Sequence, residues 1–151
     1  MIKKTLLGIA MLAFVATGMQ ASDKDAVVKT LLNYAAAIQS KDIAQIEKHV
    51  VASEAFTIFE GGHVNSGWTD YRDHHIGPEL KQFIEIKYGF SDIKPRIFGD
   101  VAYATLKSSI DVKMKSRAFA GESLVTAVLV KTDDGWKIQH MHTSRIPKKK
   151  H

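Results

Sequence analysis

Seven histidines in a 151-residue chain with no cysteine set the range of chemistry open to it. Without thiols there is no disulfide, cysteine nucleophile, cysteine-ligated zinc, iron–sulfur cluster or lipidated cysteine. Binding or catalysis has to come from imidazole, carboxylate, hydroxyl or backbone groups. Two of the histidines, His140 and His142, stand two apart in Trp136-Lys137-Ile138-Gln139-His140-Met141-His142-Thr143-Ser144-Arg145. Residues two apart on a strand share a face. Trp136 and Ile138 are the bulky apolar anchors of that alternation, so His140, His142 and Ser144 are expected to point inward with them. Phe56, Ile58 and Glu60 alternate likewise and aim the Glu60 carboxylate inward near a strand end. One inward glutamate and two inward histidines are too polar for plain core and need hydrogen bonds, a ligand or a metal.

The polar segment from Trp68 to Glu79 adds Asp70, Tyr71, Asp73, His74, His75 and Glu79. Neighbours on a helix diverge by about 100°, so one of His74 and His75 faces a cavity, and the four-residue spacing from Tyr71 favours His75. His63, just past Gly61-Gly62, is a further candidate, whereas His49 and His151 are expected at the surface. Two chemistries follow from these residues alone. A concave pocket with a few convergent polar groups binds a small organic ligand, here through Glu60, His63, Tyr71, His74, His75, Tyr88, His140 and His142. Alternatively His140 and His142, about 7 Å apart at Cα on one strand face, combine with His75 and Glu60 into a nitrogen-rich set suited to a divalent transition metal such as zinc or copper. Met114 and Met141 are read as packing residues, since thioether copper sites need several sulfurs together.

The elements that must position these groups can be read from periodicity. Ser22 caps a helix carrying Val27, Leu31, Tyr34, Ala35 and Ile38 at spacings of three and four, ending near Ser40. Asp42 caps a shorter helix with Ile43, Ile46 and Val50. A hairpin follows, Phe56–Glu60 and His63–Gly67 about Gly61-Gly62. The segment Trp68–Glu79 is helical, interrupted by Gly77-Pro78, with a further turn over Leu80–Ile84. Strands are expected over Ile86–Phe90, over Ala102–Lys115, over Leu124–Lys131 and over Trp136–Arg145, with Pro95 in an irregular stretch. The pattern predicts one α+β domain, a curved antiparallel sheet of about five or six strands wrapped around N-terminal helices.

Charge is concentrated at the ends. Lys3 and Lys4 start the chain, and Arg145, Lys148, Lys149 and Lys150 lie in its last seven residues; setting these six aside leaves 15 of 21 cations against 16 carboxylates. A nearly neutral body excludes a broad nucleic-acid-binding face, and residues 147–151 read as a solubilising basic tail. Met1–Ala21 has a basic start, an apolar run over Leu6–Ala16 and a small-polar exit, the layout of a secretory signal peptide cleaved after Ala21. Its apolar run is about half the roughly 20 residues a bilayer span needs. The expected mature protein is periplasmic or secreted, without stable membrane insertion.

Four segments carry a resemblance: Phe59-Glu60-Gly61-Gly62, Trp68-Thr69-Asp70-Tyr71-Arg72-Asp73-His74-His75, Ile97-Phe98-Gly99-Asp100-Val101-Ala102-Tyr103, and Asp134-Gly135-Trp136 through Ser144. In the order helix, helix, hairpin, helix and three long strands, the chain resembles the cone-shaped nuclear transport factor 2-like superfamily, in its SnoaL-like branch, over residues 22–146. That resemblance implies a small-ligand pocket inside the cone and a homodimer through the outer sheet face, where Tyr103–Lys115 is mixed polar. Likeness to ketosteroid isomerase and scytalone dehydratase implies a third chemistry, proton transfer beside a carbonyl. Asp73, Glu60, His75, His140 or His142 would then be the base, with Tyr71 or Tyr88 donating to an oxyanion. A non-catalytic adaptor would instead fill the space around His140 and His142 with side chains.

Overall fold

The computed structural model describes the backbone of residues 13–147 and the side chains of residues 23–147. In chain order its elements are α1 (Ala13–Gln39), α2 (Ile43–Glu47), β1 (Thr57–Glu60), β2 (His63–Ser66), α3 (Trp68–Tyr71), a π-helical turn (Arg72–Ile76), α4 (Gly77–Gln82), β3 (Glu85–Phe98), β4 (Val101–Lys113), β5 (Ala118–Thr132) and β6 (Gly135–Arg145). All six strands belong to one open, curved sheet in the order β2-β1-β6-β5-β4-β3. The expected α+β class is found, with one correction to the sheet. β1 runs parallel to β6, Thr57 opposite His140 and Phe59 opposite His142, so the sheet is mixed. The preceding segment already tracks β6 in that direction, since the Ile138 N–H donates to the His49 carbonyl and the Val51 N–H to the Ile138 carbonyl.

Val27, Leu31, Tyr34, Ala35 and Ile38 of α1 are buried, as their spacing predicts. They pack with Ala102, Ala104, Leu106 and Val112 of β4 and Val125, Ala127 and Leu129 of β5 in one core. α1 is continuous through Ser22 rather than capped by it. Residues 1–12 and 148–151, which hold most of the signal-peptide reading and the tail lysines, lie outside the described residues. Asp42 does cap α2, its carboxylate accepting from the Gln45 N–H at 3.0 Å.

Four boundaries differ from expectation for identifiable reasons. Pro95 lies inside β3, which continues to Phe98 past an irregularity between Ser91 and Lys94. β3 is a sheet edge, where proline's missing N–H takes no ladder bond away. β5 begins six residues earlier than expected, at Ala118, because it pairs with the whole of β4. Gly77-Pro78 does not interrupt its helix. The chain widens there into a π turn in which the Gly77 N–H reaches back to the Arg72 carbonyl. A Cβ at residue 77 would collide with that same carbonyl oxygen, so the wide turn needs glycine.

The fourth difference decides which side chains face the interior. The β5–β6 register shifts once: Leu129 pairs with Ile138, but Val128 pairs with His140, leaving Gln139 as an extra residue in β6. Past this bulge the faces exchange. Trp136, Ile138 and Met141 are buried, a spacing of two and then three.

Candidate functional site

The bulge carries His140 and His142 to the outer face of the sheet. His140 Nδ1 lies 2.7 Å from Thr57 Oγ1, and the Phe59 ring packs edge-on against both imidazoles at 5.0 and 5.9 Å. Burial, together with the neighbouring His142, holds His140 below the ordinary histidine range. The inward pair expected from simple alternation is therefore corrected, and so is the metal set of His75, His140, His142 and Glu60, whose members stand on opposite sides of the sheet. Among the described residues no group of three or more histidines and carboxylates is placed to hold an ion.

A polar cluster on the inner side of the sheet, half-open to solvent, forms instead where the β1–β2 hairpin meets the π turn. Gly61 and Gly62, both at positive φ, close a two-residue turn that leaves Glu60 and His63 as facing partners at the tip. His75 comes up beside them. It has 13% of its side chain exposed and packs edge-on against Tyr71 at 5.2 Å. Tyr71 is itself buried, 3.3 Å from the Tyr34 hydroxyl. Desolvation raises both tyrosines above their ordinary range and keeps them neutral.

Hydrogen bonding fixes the protons of His75. The Asp70 carboxylate can only accept, and Asn65 Nδ2 donates to it at 2.9 Å. The buried amide then turns its Oδ1 toward His75 Nδ1, 2.7 Å away, which must carry the proton. In the neutral ring Nε2 is left with its lone pair, 3.9 Å from Glu60 Oε2 and 3.7 Å from Glu79 Oε1. These separations are too long for direct hydrogen bonds, so both carboxylates act on the imidazole through charge alone. Hydrogen bonds from Asn65 and His74 hold Asp70 below the ordinary carboxylate range, so it stays ionised. Glu60 goes the other way: desolvation raises it, the charge of Glu79 adds to the rise, and His75 partly offsets it.

Nε2 opens on a cavity of about 570 Å³ at the mouth of the cone. Glu60, His63, His75 and Glu79 form one side, Phe83, Ile110 and Phe119 the apolar floor, and Ser123, Thr143 and Arg145 the far side. Of the other sequence candidates, His74 is exposed at the surface against Asp70, and Asp73 is turned outward and clamped by Arg72 at 2.7 Å. Tyr88, half-buried, is raised by desolvation and stands outside the residues lining this cavity. Alternation missed Thr143 and Arg145 because the bulge was not in it; the apolar spacing Trp136, Ile138, Met141 was the signal available. Asn65 carried no signal of its own.

Residues 27–149 match the model of the SnoaL-like domain. No curated protein matches the chain. Among solved structures it is similar to a nuclear transport factor 2-like superfamily protein from Salmonella enterica serovar Typhimurium, at 16% identity and TM-score 0.74 over 89% of this chain and 94% of that one. It is similar also to a protein provisionally assigned as a ketosteroid isomerase from Shewanella frigidimarina, at 27% identity and TM-score 0.65 over 84% and 98%. A third likeness is to the CaMKII hub of S. rosetta, at 21% identity and TM-score 0.64 over 81% and 95%. With the sheet, the helices and most of its length accounted for by that one domain, the chain belongs to the SnoaL-like family.

Proposed function

We propose that this protein is an exported binding protein for a small organic molecule, held in the cavity at the mouth of the cone. The single observation that carries the reading is the Asp70–Asn65–His75 chain, which fixes the tautomer of a nearly buried imidazole and presents its free nitrogen to an accessible cavity. A histidine with only a packing role needs no such preparation. The apolar floor of Phe83, Ile110 and Phe119 supplies the burial that a small ligand needs. The signal-like start of the sequence supports export, and the exposed Leu124, Tyr103 and Val101 on the outer sheet face support pairing with a second copy.

Ligand-observed NMR with a library of small aromatic and alicyclic molecules tests the reading. Binders are expected for the untagged protein, with affinity about tenfold weaker in His75→Leu, where a hydrogen bond into the cavity is lost. A library in which every binder is indifferent to His75 overturns it.

One geometric fact favours a second reading, proton transfer beside a carbonyl, and the likeness to the Shewanella protein provisionally assigned as a ketosteroid isomerase supports it. His75 Nε2, a lone-pair acceptor in the neutral ring, and Glu60, a carboxyl whose pKa burial raises, stand 3.9 Å apart on one wall of the cavity, a base and an acid that one bound molecule can meet side by side. Exchange of the α-protons of a bound ketone with D2O is then expected, slowed about a hundredfold in His75→Gln. Exchange at the same rate in both proteins removes this reading and leaves the first intact.

A further inference from the structure

The mouth cavity is electrically lopsided. On the hairpin side Glu60 and Glu79 flank His75, so an imidazole lies between the two carboxylates. On the far side stands Arg145, the one permanent cation among the lining residues. The bulge at Gln139 that turns His140 and His142 outward brings Thr143 and Arg145 inward, opposite Val125 and Ser123 of β5. A Cβ added at Gly121 would lie 3.5 Å from both Nε and Nη2 of Arg145, so the guanidinium rests over that glycine on the inner face of the sheet. Among the described residues no carboxylate lies within ion-pair distance of it. Glu122 lines the same cavity without forming such a pair. The other cations near the floor are already engaged: Arg117 lies over the Phe119 ring at 5.9 Å, and Lys113 pairs with Glu85 at 3.2 Å.

A guanidinium at a cavity wall, beside the hydroxyls of Ser123 and Thr143 and with no resident anion, has the donor geometry that a carboxylate accepts two at a time. Between it and His75 the walls are Phe83, Ile110 and Phe119, with Phe83 and Phe119 edge-to-face at 6.4 Å. We infer that Arg145, laid over Gly121, is the anchoring cation for a small organic carboxylate whose apolar body rests on Phe83, Ile110 and Phe119 and whose far end meets His75. The ligand is thus an organic acid with a ring or short branched body, oriented with its anionic end toward β6. This inference names the ligand class of the cavity and rests on the ligand-binding reading above.

Three probes of one shape and different charge separate the possibilities: benzoate, benzamide and benzylamine, titrated into the untagged full chain and followed by amide shifts of Phe119, Gly121, Ser123 and Thr143. Benzoate is expected to bind most tightly. Arg145→Gln should weaken benzoate at least about tenfold and change benzamide less than about twofold, because only the charged end loses its partner. Arg145→Lys, which keeps the charge and loses the fork, should fall between. Changing Lys148, Lys149 and Lys150 together to Ser should leave benzoate affinity unaltered. Benzoate binding that ignores Arg145→Gln, or benzylamine as the tightest probe, overturns the carboxylate anchor while leaving a ligand site. If none of the three, neutral benzamide included, moves the cavity amides, the ligand-binding reading falls together with it.

Discussion

At the scale of single residues, Glu60 and Asn65 are the most informative. Glu60 sits where ionisation is disfavoured: desolvation raises its pKa, His75 offsets part of the rise, and the charge of Glu79 adds to it. Its folded-state pKa is raised, so the stability linked to its protonated form is complete below the ordinary glutamate pKa and is lost as pH rises through the folded value. Glu60→Gln keeps the shape and removes the titration. Its melting temperature should exceed that of the parent at neutral pH, and the two should converge below the ordinary carboxylate range; a gap that widens on acidification would contradict the sign. Asn65 acts through its partners. Replacing it by Leu strips the His75 Nδ1–H of its partner and leaves Asp70 Oδ2 with only the Ser66 N–H, at a cost of about 1–3 kcal/mol in urea unfolding. Because the tautomer of His75 is then no longer fixed, Asn65→Leu should weaken any cavity ligand about as much as His75→Leu does.

At the scale of elements, two irregularities build the site, and both depart from simple periodicity. The π turn lets the helix pass Gly77-Pro78 and keeps Tyr71, His75 and Glu79 on one side. Gly77→Ala forces a methyl onto the Arg72 carbonyl, and overpacking of that kind costs about 1–3 kcal/mol. Gly89→Ala, whose new methyl would come no nearer than 3.9 Å to Ser109 Oγ, should be close to neutral, so a similar loss in both variants would disprove the steric account. The regular elements were legible because burial imposes a period: the α1 core positions and the alternation along β4, with Ala102, Ala104, Leu106 and Val112 inside, read directly from the residues. One inserted residue is invisible to that reading. Gln139 reverses the faces of everything after it, exchanging two histidines for Thr143 and Arg145, and an arginine that alternation leaves on the face opposite His140 and His142 becomes a cavity residue. His75 was legible because its four-residue spacing from Tyr71 survives the π turn.

At the scale of the whole molecule, what is left unburied bears on assembly. Across the outer face the register lines up Thr57, His140, Val128 and Tyr103 in one row and Phe59, His142, Thr126 and Thr105 in the next. Leu124 stands beside them, 54% exposed, with Lys107 as its neighbour on β4. An apolar and hydroxyl-rich sheet face of this kind suits a two-fold pairing, in which each row meets its own copy. Light scattering should therefore give twice the chain mass at neutral pH. Leu124→Lys puts like charges together across the axis and, being a surface change, should give monomers that still fold. The same face carries a pH response. His140 is held below the ordinary histidine range by burial and by His142, so protonation works against the structure, and stability is lost as pH falls below the ordinary histidine value. A dimer through this face would deepen that burial, since His140 lies on it beside Thr57, Phe59 and His142. Sedimentation from neutral pH down to pH 5 should show dimer giving way to monomer, and His140→Gln should abolish that dependence without abolishing the dimer. A protein that stays monomeric at neutral pH, or whose dissociation is unchanged in His140→Gln, would remove the histidine from this role.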